Sequence, residues 1–216
     1  MRMLFFISFL ILFFQACSFK SPENKWEYNS ASAFSSYSKN FLTDNEVIAN
    51  DDLQRAIKYA KQSADLKQLS RIYLGKCALN ISVGLKDDCS EYQELEQLVN
   101  SVELKAYFMM LQNKLKKEQI ENLPKQYRLF SEYRYLKKYD KAFKSIQNIE
   151  QASSQFIAAS LIKEEINKSQ AKYLIERASF YGYKKIVLFW LNHLKDIEAN
   201  PTEKEKLEKK LEILKS

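Results

Sequence analysis

The chain has 216 residues and a formal net charge of +7, with only three glycines and three prolines. So few turn-forming residues exclude an all-β domain, and three isolated glycines exclude a glycine-rich phosphate loop. The composition is rich in Ala, Leu, Ile, Lys, Glu and Gln, which favour helices, and it predicts an all-α protein.

The amino terminus carries a basic residue, Arg2, an apolar run over residues 4–14, and then Cys17. A membrane-spanning helix needs about 20 apolar residues, and this shorter run is typical of a signal-peptide core. The segment Phe14-Gln15-Ala16-Cys17 resembles the lipobox of bacterial lipoproteins, which usually reads Leu-Ala/Ser-Gly/Ala-Cys. Ala16 and Cys17 match that pattern, and Phe14 and Gln15 differ from it.

The resemblance implies that residues 1–16 are a signal peptide and that Cys17 carries acyl chains such as palmitate. Acyl chains would anchor the protein in a bilayer. Residues 17–24 would then form a lipidated tether to a single domain over residues 25–216. Ser18, directly after the cysteine, implies the outer membrane, and we expect the periplasmic face. An uncleaved amino-terminal anchor and an ordinary secreted protein stay open as alternatives.

Apolar residues at helical spacing predict ten or eleven short helices joined by short polar turns. The first three are predicted at about 25–42, at 45–63, and from an N-cap at Asp65 to Cys77. One helix then starts near Ser90, another carries residues 104–111, and a third starts at Pro124. The predicted helices that follow are about 140–150, 152–165, 169–181 and 184–198, and a last one starts at Pro201.

The cysteine count is informative because acylation of Cys17 would leave Cys77 and Cys89 as a pair. They stand at the end of one predicted helix and the start of the next, and an oxidising cell envelope would let them form a disulfide. Two buried free thiols are the alternative. A zinc site is not expected, since the spacing does not fit and the chain has one histidine.

One stretch resembles the middle of a tetratricopeptide repeat. It comprises Tyr133, the turn Tyr139-Asp140-Lys141-Ala142, and Ile146. In that family an aromatic residue shortly precedes a small alanine, at which two helices approach closely. The resemblance implies stacked helical hairpins, a tetratricopeptide-like α-solenoid. A compact irregular helical bundle is the alternative architecture.

The residues that carry chemistry do not form a recognisable catalytic motif. The lone His193 lies in an aromatic-rich helix, where a packed or surface role is the expectation. The carboxylate pairs Glu164-Glu165, Glu94/Glu96 and Asp87-Asp88 occupy ordinary polar positions. We therefore expect no enzyme activity, no cofactor and no metal. Lysines are scattered along the chain, and an exported protein is not expected to bind nucleic acid.

Aromatic residues are the one surplus, and several stand on more than one helical face. They indicate a surface that binds a peptide or a partner helix, or else a core rich in aromatic rings. The candidates for contact with a partner are Tyr127, Tyr133, Tyr135, Tyr139, Tyr183 and Trp190.

These observations together predict a lipid-anchored, non-enzymatic helical scaffold that binds other proteins of the bacterial cell envelope. Two alternatives remain. One is an envelope enzyme that acts on peptidoglycan through a pair of carboxylates. The other is a surface-exposed lipoprotein that contacts a host or a neighbouring cell.

Overall fold

A computed structural model describes residues 24–63 and 65–215, and these residues form an all-α protein. The predictions for the signal peptide and for Cys17 fall on residues outside these ranges. Among the described helices, none combines the length and the apolar character needed to cross a bilayer.

The described residues contain eleven α-helices and two short 3₁₀ helices. The α-helices are α1 (Lys25–Leu42), α2 (Glu46–Ala60), α3 (Leu66–Ser82), α4 (Ser90–Val99), α5 (Val102–Leu111), α6 (Lys125–Tyr135), α7 (Tyr139–Gln147), α8 (Ala152–Ser160), α9 (Lys168–Phe180), α10 (Lys184–Ile197) and α11 (Pro201–Lys215). The 3₁₀ helices are Lys117–Asn122, before α6, and Lys163–Glu165, after α8.

Local sequence explains where several helices begin. The Asp65 carboxylate accepts a hydrogen bond from the Lys67 backbone N–H at 2.8 Å, which confirms the predicted N-cap of α3. Asn167 accepts from the backbone of Gln170, whose side chain in turn accepts from the Asn167 N–H, and this reciprocal pair caps α9. Backbone donors that a helix start leaves unpaired are satisfied in this way.

Consecutive helices pair as hairpins, as the sequence predicts. The closest pairs are α1 with α2, α6 with α7, and α9 with α10. Small buried side chains permit the close approach: the Ser30 hydroxyl donates to the Ala56 carbonyl across the first hairpin at 3.1 Å. Ala142 of α7 and Ala178 of α9 are likewise fully buried.

Helix α3 lies at the centre of the molecule, in contact with α1, α2, α4, α5 and α8. The first hairpin also meets α10, where Lys185 pairs with Asp44 and Glu46 and lies 4.1 Å from the centre of the Phe41 ring. A solenoid whose repeats touch only their neighbours would lack such contacts. The hairpins therefore stack along the chain and also fold back on one another.

Two helix ends differ from the sequence prediction by five residues each, more than the others. Helix α3 continues past Cys77 to Ser82, because Ala78, Leu79 and Ser82 are buried against the core and keep the helical period. The predicted helix over 152–165 ends at Ser160, and the 3₁₀ helix Lys163–Glu165 follows it.

The last helix, α11, packs against α10 through a narrow apolar stripe. Leu211 is buried, and Leu207 and Leu214 are partly buried against the core. Through this stripe α11 caps the carboxyl-terminal end of the helical stack.

Candidate functional site

Three adjoining cavities in the described part of the chain form one concave surface, here called the central groove. Asn113 lines all three, and their volumes are about 680, 420 and 210 Å³. The first lies at the loop over residues 85–88, and the second reaches Phe189 of α10. The third, here called the Arg134 pocket, is lined by Asn113, Leu115, Ser131, Arg134, Tyr135, Lys137 and Tyr139.

The groove lies where four helices end. Ile81 near the end of α3, Leu111 of α5, Arg134 of α6 and Ser160 of α8 all line it. The last carbonyls of a helix lack partners within the helix and carry partial negative charge. The groove therefore combines polar helix ends with apolar side chains such as Leu161, a combination that suits a polypeptide ligand.

The wall at the first cavity is held rigidly. The structure places Cys77 and Cys89 within disulfide distance, with Cα atoms 5.3 Å apart, as the cysteine count predicts. The Asp87 carboxylate accepts hydrogen bonds from the Asn80 side chain and the Cys89 backbone N–H, each at 2.7 Å. The Gln112 amide donates to the Asp87 carbonyl at 3.1 Å. These contacts tie the loop to α3, α4 and the end of α5.

The two sulfur atoms and a carboxylate oxygen of Asp87 lie within 4.8 Å of one another. Thiolates bind metals, whereas sulfur atoms joined in a disulfide are not thiolate ligands. The cluster therefore holds the loop in place through the disulfide and the hydrogen bonds of Asp87.

Gly84 and Phe189 form the far wall of the second cavity. Gly84 has a φ of +82°, and a Cβ atom at this position would lie 2.4 Å from the Phe189 ring. Only glycine adopts this backbone region without strain and leaves room for the ring. Lys163 extends over the other part of the wall, with its Nζ 5.8 Å from the centre of the Phe189 ring.

Arg134 separates the second cavity from the third. One guanidinium nitrogen donates to the Asn113 side-chain oxygen, and another donates to the Met110 carbonyl at 3.5 Å. Burial lowers the pKa of Arg134, and the nearby Tyr139 acts in the opposite direction. The residue is thus a partly desolvated cation held at the end of α5, where the helix dipole favours positive charge.

Two of the six predicted partner-contacting aromatics lie in the core. Tyr127 is 2% exposed, and its hydroxyl is hydrogen-bonded to Ser154 and Tyr107. Trp190 is fully buried, with its ring near Phe189 and His193. The expected role of Tyr127 and Trp190 is corrected accordingly: both stabilise the core and do not reach a partner.

The other four predicted aromatics are at least partly accessible. Tyr135 is 53% exposed and, with Tyr139, lines the Arg134 pocket. Tyr133 lies beside Lys141, whose Nζ is 5.9 Å from the ring centre. Tyr183 stacks on Tyr181 at the α9–α10 turn. The structure therefore brings two of the six, Tyr135 and Tyr139, to the groove.

The predicted packed role of His193 agrees with its surroundings. The side chain is 4% exposed, and its Nε2–H donates to the Ile166 carbonyl at 2.9 Å. The carboxylate pairs noted in the sequence face solvent or form local ion pairs. The Glu164 side chain is 86% exposed, and Glu96 forms an ion pair with Lys105 at 3.0 Å.

The sequence analysis missed Asn113, Arg134 and the pairing of Gly84 with Phe189. A glycine directly after a helical run is a signal for a left-handed helix end, and it identifies Gly84 as a special position. Arg134 has no such signal, because it is one of 34 basic residues in the chain. Comparison with protein-family models, with curated proteins and with solved structures finds no match to this chain.

Proposed function

We propose that the protein is a lipid-anchored, non-enzymatic helical scaffold that binds other proteins of the bacterial cell envelope through its central groove. The membrane part of the proposal depends on the lipobox-like sequence ending at Cys17. A disulfide between Cys77 and Cys89 is consistent with an oxidising compartment outside the cytoplasm.

The central groove is the observation that carries the proposal. It extends over three cavities, has a wall braced by the cysteine pair and Asp87, and combines exposed apolar side chains with polar groups. Leu85 stands in it with 54% of its surface exposed. A preformed groove of this kind binds with little ordering of the protein, and this favours affinity.

The alternative of a peptidoglycan-cleaving enzyme would need one carboxyl group with a raised pKa beside a second carboxylate. The acidic residues that line the groove have other surroundings. Asp88, Glu164 and Glu165 are exposed, and both oxygens of the Asp87 carboxylate already accept hydrogen bonds. These contacts favour the scaffold over that enzyme.

Site-specific photocrosslinking in intact cells of the source organism tests the proposal. A photoreactive amino acid replaces Leu85 in the groove and, as a matched control, Ile48 on α2, which is also 54% exposed but does not line the groove. We expect envelope proteins to be crosslinked from position 85 and not from position 48. Absence of any crosslinked protein from position 85 would refute the scaffold, and equal crosslinking from both positions would refute the groove as its site.

A further inference from the structure

The Arg134 pocket contains two cations that lack an acidic partner. Neither Arg134 nor Lys137 has a carboxylate oxygen within 4.0 Å in the ranges that the structure describes. None of the seven residues that line the pocket is acidic. Arg134 is also partly buried, so water compensates for its charge less well than at an open surface.

A buried hydroxyl without a hydrogen-bond partner belongs to a residue that lines the same cavity. Ser131 is 3% exposed, and its hydroxyl has no hydrogen-bond partner among residues 24–63 and 65–215. A buried polar group without a partner is unusual in a folded protein and calls for an explanation. Because Ser131 lines the Arg134 pocket, a rotation of its side chain would let the hydroxyl pair with a ligand atom there.

The backbone holds Lys137 at this position in an unfavourable conformation. Lys137 has a φ of +55°, in the left-handed region where glycine normally ends a helix. Its N–H donates to the Arg134 carbonyl at 2.9 Å, and this bond fixes the turn after α6. A lysine in place of glycine therefore adds backbone strain to the turn and adds a positive charge to the pocket rim.

We infer that the Arg134 pocket binds a carboxylate of a partner polypeptide, either its carboxyl-terminal group or an acidic side chain. The planar guanidinium of Arg134 matches a carboxylate through two parallel N–H donors, and the Ser131 hydroxyl and the Lys137 ammonium add a donor each. The volume of about 210 Å³ suits a small group, and the pocket adjoins the larger cavities that would hold the preceding residues.

This inference rests on the proposed scaffold function and names the chemistry that the partner presents. A structural role for Arg134 is the rival explanation, since its guanidinium also donates to the end of α5. The rival predicts that changes at Ser131 and Lys137 leave ligand binding unaltered. These two residues therefore discriminate between the explanations better than Arg134 does.

Fluorescence anisotropy with labelled peptides and the full-length protein in detergent tests the inference. Three peptides share the sequence Ala-Leu-Ala-Leu: one with a free carboxyl terminus, one amidated, and one amidated with glutamate in place of the third residue. We expect the free acid to bind about ten- to a hundredfold more tightly than the plain amide, as charged hydrogen bonds imply. Tight binding of the glutamate peptide in place of the free acid would identify an acidic side chain as the source.

Matched variants locate the binding. Lys137→Gln should weaken the carboxylate peptide about two- to fivefold, whereas Lys138→Gln, one residue outside the pocket lining, should leave it unchanged. Ser131→Ala should weaken it about fivefold. Lys137→Gly should raise the melting temperature and still weaken the peptide, because glycine relieves the strain while the charge is lost.

Equal binding of all three peptides, or equal loss in the Lys137→Gln and Lys138→Gln variants, would overturn the inference. So would inorganic phosphate that displaces the acid peptide at the peptide's own concentration, since the site would then be a general anion site. If these binding tests fail while crosslinking from position 85 persists, the scaffold proposal stands and only the inference of carboxylate binding is refuted. Carboxylate binding without crosslinking from position 85 would refute the scaffold and leave the carboxylate site intact.

Discussion

At the scale of single residues, two glycines with positive φ play different structural roles. Gly84 has a φ of +82° and lies directly against the Phe189 ring, so it closes the groove wall. Gly182, in the α9–α10 turn, has a φ of +68° and nothing within 4 Å of a Cβ atom. The backbone needs glycine at both positions, but the packing needs it only at position 84.

The variants Gly84→Ala and Gly182→Ala separate these two effects. Both should lose about 1–2 kcal/mol of unfolding free energy from the left-handed backbone. Gly84→Ala should lose about 1–3 kcal/mol more, because the Phe189 ring must move to admit the methyl group. Urea unfolding followed by circular dichroism measures both, and equal losses would show that the Phe189 contact contributes nothing.

At the scale of elements, the loop between α3 and α4 is held by the cysteine pair and by Asp87. Because α3 runs on to Ser82, the free segment between the cysteines is shorter than the sequence pattern predicts. Cys89 takes a left-handed conformation, with a φ of +58°, directly before α4. The elements around the loop thus position Leu85 at the groove.

Replacing Cys77 and Cys89 together by alanine should lower the unfolding free energy by about 3 kcal/mol, as the closure of a loop of this length implies. The same urea measurement in the presence of dithiothreitol provides the control. Reductant should destabilise the natural protein and leave the double variant unchanged. Rapid labelling of Cys77 and Cys89 by a thiol reagent in the unreduced, denatured protein would contradict the disulfide.

At the scale of the whole molecule, the start of α1 and the groove belong to different elements of the fold. The tether would join the start of α1, whereas the groove lies among the ends of α3, α5, α6 and α8. Contacts between α1, α2 and α10 fasten the first hairpin to the rest of the stack. Under the proposed acylation of Cys17, the first hairpin and the stack fastened to it would be held at a membrane together.

Cys17→Ser should move the protein from the membrane fraction to the soluble fraction of lysed cells. The physical reason is the loss of the acyl chains, each buried methylene of which contributes about 0.8 kcal/mol to membrane binding. Mass spectrometry of the natural protein should find an acylated amino-terminal Cys17. An intact Met1, or a mature chain without acylation, would refute the anchor.

The sequence by itself determines the helical class and most helix positions, and it predicts a Cys77–Cys89 pair on the premise that Cys17 is acylated. These features follow from local propensity, from the 3.6-residue apolar period and from an even number of remaining thiols. It does not separate buried from exposed aromatics, because Tyr127 and Tyr135 stand in the same helix and differ only in the face that meets the core.

Only the tertiary structure brings Asn113, Ser131, Arg134 and Lys137 around one cavity, since they come from two helix ends and the turns that follow them. Their contacts depend on how α5 and α6 pack, and packing between helices is decided by side-chain shape at long range. The same packing leaves the Ser131 hydroxyl unpaired and two cations without acidic partners. A local sequence pattern does not indicate which groups from separate helix ends will meet at one cavity.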